Sequence, residues 1–165
     1  ILEIYLNQSY FGNGSYGING YLLAITGDTY EGGVPAKNGW SNFNAMKHTS
    51  QIPLMTEALR FDLWPLPTHA PADTEEAAWS SNNMARACIN RHKGFVCTSF
   101  ADGHASKVCL KELWTLKWHK EFNTSGPWTL AGGAQEDKWP EWIRKYPTKG
   151  PARGSADALQ RAVQR

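Results

Sequence analysis

The clearest strand pattern in this chain is residues 94–101, Gly-Phe-Val-Cys-Thr-Ser-Phe-Ala, rich in β-branched and aromatic side chains. Asp102-Gly103 follows, and residues 105–110 resume the pattern. Two such runs around an Asp-Gly pair predict a β-hairpin. The period then changes. Leu110, Trp114, Trp118 and Phe122 recur every four residues, with Leu113 beside them. That spacing predicts a helix over 111–122 carrying one apolar stripe. Asn-Thr-Ser-Gly-Pro at 123–127 stops it.

Upstream, residues 51–60 read as a strand, with Pro53 placing it at a sheet edge or a strand start. Residues 21–26 also read as a strand. Residues 11–20 are rich in Gly and Asn, which predicts loop and turn. No Lys-Ser/Thr follows these glycines, so they do not form a phosphate loop. Residues 27–42 read as a long loop and 45–48 as a short helical turn. Pro65, Pro67 and Pro71 make 64–74 an extended excursion, and 75–83 reads as a helical turn. Residues 139–146 predict one helical turn with Pro140 near its first position. At the ends the pattern is ambiguous. Residues 1–8 fit a helix turn or a strand, and 155–164 fit an amphipathic helix or a disordered tail.

Composition narrows the class. The chain has 165 residues, 41% hydrophobic and 19% charged, which suits one globular domain with its own core. Eight tryptophans without a tandem repeat point to core or interface packing. A net charge of +2, with no long basic run, argues against a nucleic-acid partner. No segment reaches the roughly 18 apolar residues of a membrane span. No signal peptide is visible and the first residue is Ile1, which suggests a processed form or a fragment.

Several motifs occur together in one order. They are Ser15-Tyr-Gly-Ile-Asn-Gly20, Ser50-Gln-Ile-Pro-Leu54 and Asp62-Leu-Trp-Pro65. Next comes Met84-Ala-Arg-Ala-Cys-Ile-Asn-Arg-His92, leading to Phe100-Ala-Asp-Gly103, then the run 107–119, Gly126-Pro-Trp128 and Trp139-Pro-Glu-Trp142. With them the chain resembles a planctomycete-type bacterial family of pilin-like proteins that carry a prepilin N-terminal methylation signal and an H-x9-DG domain. His92, Asp102 and Gly103 match that signature. The headpiece of this family resembles the major pseudopilin of type II secretion. The resemblance implies an α+β pilin-like headpiece, a twisted antiparallel sheet with short helices, over residues 14–146. Nothing here matches the family's long apolar helix, so the spine helix is expected to be absent or truncated. Residues 1–13 are then an N-terminal segment of unassigned origin and 147–165 a flexible or helical tail. A second, local resemblance covers residues 1–18. Ile1-Leu-Glu-Ile-Tyr-Leu-Asn-Gln8 with Tyr10-Phe-Gly-Asn-Gly14 is similar to a motif of peptidoglycan glycosyltransferases, without that family's upstream catalytic glutamates.

The resemblance implies a non-enzymatic envelope protein, a component of or interfering partner for a type II secretion or type IV pilus-like machine. Its partners would be other pseudopilins or secretion proteins, with no membrane contact in this form, in the periplasm, envelope or extracellular space. If part of the Trp114/Trp118 stripe stays open, it would also drive self-association. Two chemical readings stand beside this one. His92 and Asp102, in contact, would make a general base and its orienter in a metal-assisted (Ca²⁺) hydrolase that also uses a loop carboxylate and acts on an ester or lactone. Equally, Asp102 fits a turn acceptor before Gly103. Ca²⁺ is the metal that the pseudopilin resemblance implies. The carboxylates available to it are Asp62, Asp73, Glu75, Glu76 and Asp102, without EF-hand spacing. The five histidines form no zinc-enzyme spacing. Of three cysteines, Cys97 and Cys109 flank the Asp-Gly turn, where a one-residue bulge would bring them face to face for a disulfide; buried free thiols fit as well.

Overall fold

The computed structural model describes residues 15–40 and 42–150. Within them the chain folds as an α+β domain around one five-stranded sheet. Its strands are β1 (Ser15–Asn19), β2 (Pro53–Ala58), β3 (Asp62–Leu63), β4 (Phe95–Phe100) and β5 (Ala105–Cys109), in the order β3-β1-β2-β4-β5. Pairing is antiparallel except between β1 and β3, which run parallel, so the sheet is mixed rather than wholly antiparallel. Two short α-helices, α1 (Asn83–Ala87) and α2 (Glu141–Arg144), and several 3-10 turns complete the fold. Among the described residues no helix is long and apolar enough to cross a membrane.

The hairpin forms where the sequence places it, but its loop is one residue longer than a two-residue Asp-Gly turn. Phe100 N–H donates to the His104 carbonyl and Gly103 N–H to the Phe100 carbonyl, so Ala101, Asp102 and Gly103 form the loop. Gly103 sits at φ +88°, open to solvent, a conformation strained for any side chain. This is the three-residue hairpin with a left-handed third position. The longer loop sets Cys97 opposite Lys107 and Phe95 opposite Cys109. The two cysteines therefore do not face each other, and all three cysteines are free thiols.

Two further expectations fail for a common reason. Residues 21–26 are not a strand; a 3-10 turn at Gly20–Leu22 starts there, and the strand is β1, inside the Gly/Asn-rich stretch. Gly17 lies in β1 because a Cβ there would meet the Arg60 carbonyl at 2.5 Å, so glycine marks close approach of chains, not a turn. Residues 111–122 are not one helix either. A 3-10 helix covers Leu110–Thr115, and Leu116 is already extended, with φ −76° and ψ 149°. The following N–H groups turn to distant partners: Lys117 donates to Gln51 and Lys120 to Asn38. The apolar stripe itself is core, since Leu110, Leu113, Trp114, Trp118 and Phe122 are all buried. Tertiary contacts thus keep the burial pattern and discard the helix.

Tryptophans hold the irregular segments to this core. Trp114 Nε1 donates to the His69 carbonyl at 2.7 Å and Trp142 Nε1 to the Ala72 carbonyl at 2.9 Å, pinning the proline-rich excursion. Trp40 Nε1 reaches the Trp118 carbonyl at 2.8 Å. The same carbonyl accepts from Asn19 Nδ2 at 3.0 Å, and Asn19 also donates to the Pro53 carbonyl at 3.0 Å. Asn19 is fully buried, so these bonds replace the water it has lost. At the far end, buried Lys111 donates from Nζ to the carbonyls of Arg144 and Tyr146, closing the C-terminus of α2. Glu112 accepts from the Gly150 N–H at 2.8 Å.

Candidate functional site: the open face of the sheet

β4 alternates accessible and buried residues along its whole length, and β1 and β2 do so where they pair with each other. Thr56, Ala58, Val96, Thr98, Phe100 and Val108 point into the core. Tyr16, Ile18, Met55, Glu57, Cys97 and Ser99 lie on the other face, partly or well exposed. Registers align one row across that face. Tyr16 pairs with Glu57, and Cys97 with Lys107. Carrying the Thr56–Thr98 pairing one step places Glu57 opposite Cys97.

His92 completes the row from outside the sheet. The segment before β4 is tied down by Asn90, whose N–H donates to Glu75 Oε1 and whose side-chain oxygen accepts from Gly94 N–H, both at 2.7 Å. Lys93 and Gly94 then take positive φ, 53° and 95°, turning the backbone sharply into the strand. His92 is left over the open face, with Nε2 3.0 Å from Glu57 Oε1. The other oxygen of Glu57 accepts the Cys97 N–H at 2.7 Å. One ligand atom from each of Glu57, His92 and Cys97 lies within 4.8 Å of the others.

The electrostatics follow from this packing. Burial, and then the charge of Glu57, push the Cys97 thiol up from its ordinary range, so it is a protonated thiol at neutral pH. Glu57 also raises the Tyr16 hydroxyl. The carboxylate stands between imidazole and thiol. A nucleophilic cysteine needs the imidazole at the thiol and a lowered pKa. Neither condition holds here.

The pair His92–Asp102 does not form. The two residues sit at opposite ends of β4, whose six residues span about 17–20 Å. Asp102 instead binds its neighbour His104: Oδ1 accepts both the backbone N–H at 3.2 Å and the ring Nδ1 at 2.5 Å. The His104 hydrogen bond holds the Asp102 carboxyl below its usual range. The His104 ring stacks on Phe100, with centroids 4.4 Å apart. Asp102 and Gly103 are therefore turn residues, and His92 is an open-face residue whose partner is Glu57.

The carboxylates considered for Ca²⁺ do not converge at ligand distance among the described residues. Asp62 pairs with Arg60 at 2.6 Å and accepts from Trp64 Nε1. Glu75 is committed to the Asn90 backbone, Asp102 to His104, and Asp73 lies in an exposed cleft beside Glu76 and Glu141. Among the described residues no three of them meet at ligand distance; the one such group is Glu57, His92 and Cys97. Glu57 and Lys107 escaped sequence reasoning. The available signal was a glutamate, a poor strand former, at an outward slot of the strand 51–60. Its nearness to Cys97 depends on a pairing 40 residues apart.

No family model, curated protein or solved structure matches this chain.

Proposed function

We propose that the chain is a non-enzymatic, pilin- or pseudopilin-like headpiece of the cell envelope, acting as a component of, or interfering partner for, a type II secretion or type IV pilus-like machine. The observation that carries this reading is the open face of the sheet. The sheet surface presents Tyr16 at 50% exposure and Met55 at 43%, with Ile18 on β1 directly opposite Met55. Scattered apolar side chains are ordinary, but a cluster on a rigid sheet is the anatomy of a protein-binding surface. Glu57 and Lys107 add charges of both signs that would set register with a partner. The ordered motifs from Ser15 to Trp142, including His92-x9-Asp-Gly, favour the pilin-like class over other α+β domains. The site would act in the periplasm, envelope or extracellular space, between headpieces or between this chain and another subunit.

The test is photo-crosslinking with a reactive phenylalanine analogue at position 16 or 55, using purified pilin-like subunits of the same envelope machine. Crosslinks at both positions, and loss of the position-16 crosslink in Met55→Asp, are expected. Recovery of none of those subunits overturns the reading.

A further inference from the structure

We infer that Glu57, His92 and Cys97 form a binding site for a borderline-soft divalent cation of the zinc type, on the open face of the sheet. The donor set comes first. A carboxylate oxygen, an imidazole nitrogen and a sulfur are the ligands that zinc combines, whereas Ca²⁺ and Mg²⁺ take oxygen alone. All three donor atoms lie within 4.8 Å of one another, and Nε2 of His92 is 3.0 Å from Oε1 of Glu57. Tetrahedral bonds of about 2.0–2.3 Å imply ligand–ligand edges of roughly 3.3–3.7 Å. The site therefore closes by rotamer adjustment, with no strand moving.

The supports are built into the backbone. Glu57 and Cys97 stand on adjacent strands in the middle of the sheet, and the Cys97 N–H fixes the carboxylate by its second oxygen. His92 is delivered by the positive-φ step at Lys93 and Gly94, under the bonds of Asn90. Such supporting bonds orient metal ligands, and their loss typically costs about 10–100-fold in metal affinity. The His92 side chain is 41% exposed, so ions reach the site from solvent and the fourth position faces outward. On binding, the thiol proton leaves to buffer. Thiolate, carboxylate and dication then sum to zero charge, and the ion replaces the hydrogen bond between His92 and Glu57. The remaining histidines and cysteines of the chain, all within the described residues, join no such group.

The experiment is titration of the reduced full chain, stripped with chelator, with Co²⁺ and then Zn²⁺. Co²⁺ is expected to give one equivalent of a near-ultraviolet thiolate-to-cobalt charge-transfer band, with the visible bands of a tetrahedral ion, and Zn²⁺ should displace it. Cys97→Ser should abolish the charge-transfer band. His92→Ala and Glu57→Gln should each weaken Co²⁺ binding at least tenfold, on the scale that loss of even supporting residues produces. Cys109→Ser and His104→Ala should leave the spectrum unchanged. Because the three ligands lie on an accessible face, thermal melts of the metal-free variants should stay close to that of the parent. Absence of the charge-transfer band in the parent chain overturns the inference. So does a band that survives Cys97→Ser, or affinity unchanged by both His92→Ala and Glu57→Gln.

Discussion

On one face of the sheet Val96, Thr98, Phe100 and Val108 are sealed against the tryptophan-rich core. On the other, the intervening residues of the same strands, Tyr16, Met55, Glu57 and Cys97, meet solvent. The backbone is shared, so the contrast belongs to side chains alone. Even the polar groups differ in kind. The buried face pairs Thr56 with Thr98 at 2.8 Å, two neutral hydroxyls that satisfy each other. The open face gathers a carboxylate, an imidazole and a thiol that retain capacity for a further partner. Stability is thus concentrated on one side of the sheet, and chemistry on the other.

The comparison breaks most visibly at Phe100. Its side chain is fully buried, and Phe100→Ala is expected to cost about 3–5 kcal/mol. Urea denaturation should show the midpoint falling with little change in slope. A loss below about 1 kcal/mol would mean that the face is not packed as described.

An acid-dependent effect comes next, in the layer beneath the buried face. His119 is 5% exposed and packs edge-on against Tyr21 and Phe122. Burial, helped by the charge of Lys117, lowers its pKa to about 4. An unfolded histidine titrates near about 6.5. Between these values the unfolded chain binds the extra proton, so stability falls as pH drops from about 6.5 to about 4, by at most about 3 kcal/mol. Burial lowers His69 in the same direction. Denaturation curves across that window should flatten in His119→Phe, and an unchanged slope would remove His119 as the cause.

The smallest effect sharpens the contrast. Met55→Ser, on the open face, should change stability by no more than about 0.5 kcal/mol. The same substitution should weaken crosslinking to pilin-like subunits, separating folding from recognition. A large destabilisation would show that the open face contributes to the core after all.

The sequence made the local features legible and the distant ones obscure. The hairpin, β2 and the turn after Pro140 were readable because their signals sit within a few residues: alternation, Asp-Gly, a proline at a helix start. β1 was hidden because Gly17 and Asn19 carry turn-like propensities, while their roles are close approach and a buried hydrogen-bond junction. The stripe at Leu110, Trp114, Trp118 and Phe122 correctly marked core but not helix, since the N–H groups of Lys117 and Lys120 between its members go to Gln51 and Asn38. At the candidate site His92 was visible as a motif residue and Cys97 as a disulfide candidate. Their shared partner Glu57 was not, because strand pairing rather than spacing brings it there. Asp102 looked like that partner because the H-x9-DG signature couples it to His92; the histidine it binds is His104.

Asn19 has one more consequence, for the order of events as the chain is made. Its amide bridges the start of β2 to a carbonyl 99 positions downstream, at Trp118. β2 likewise waits for β4, some forty residues later, to cover its second edge. During synthesis the first strands therefore emerge with their central edge unprotected, and no early hairpin can seal them. Closure over such distances is entropically slow. The native contacts of β1 and β2 can therefore be complete only once the segment around Trp118 has left the ribosome.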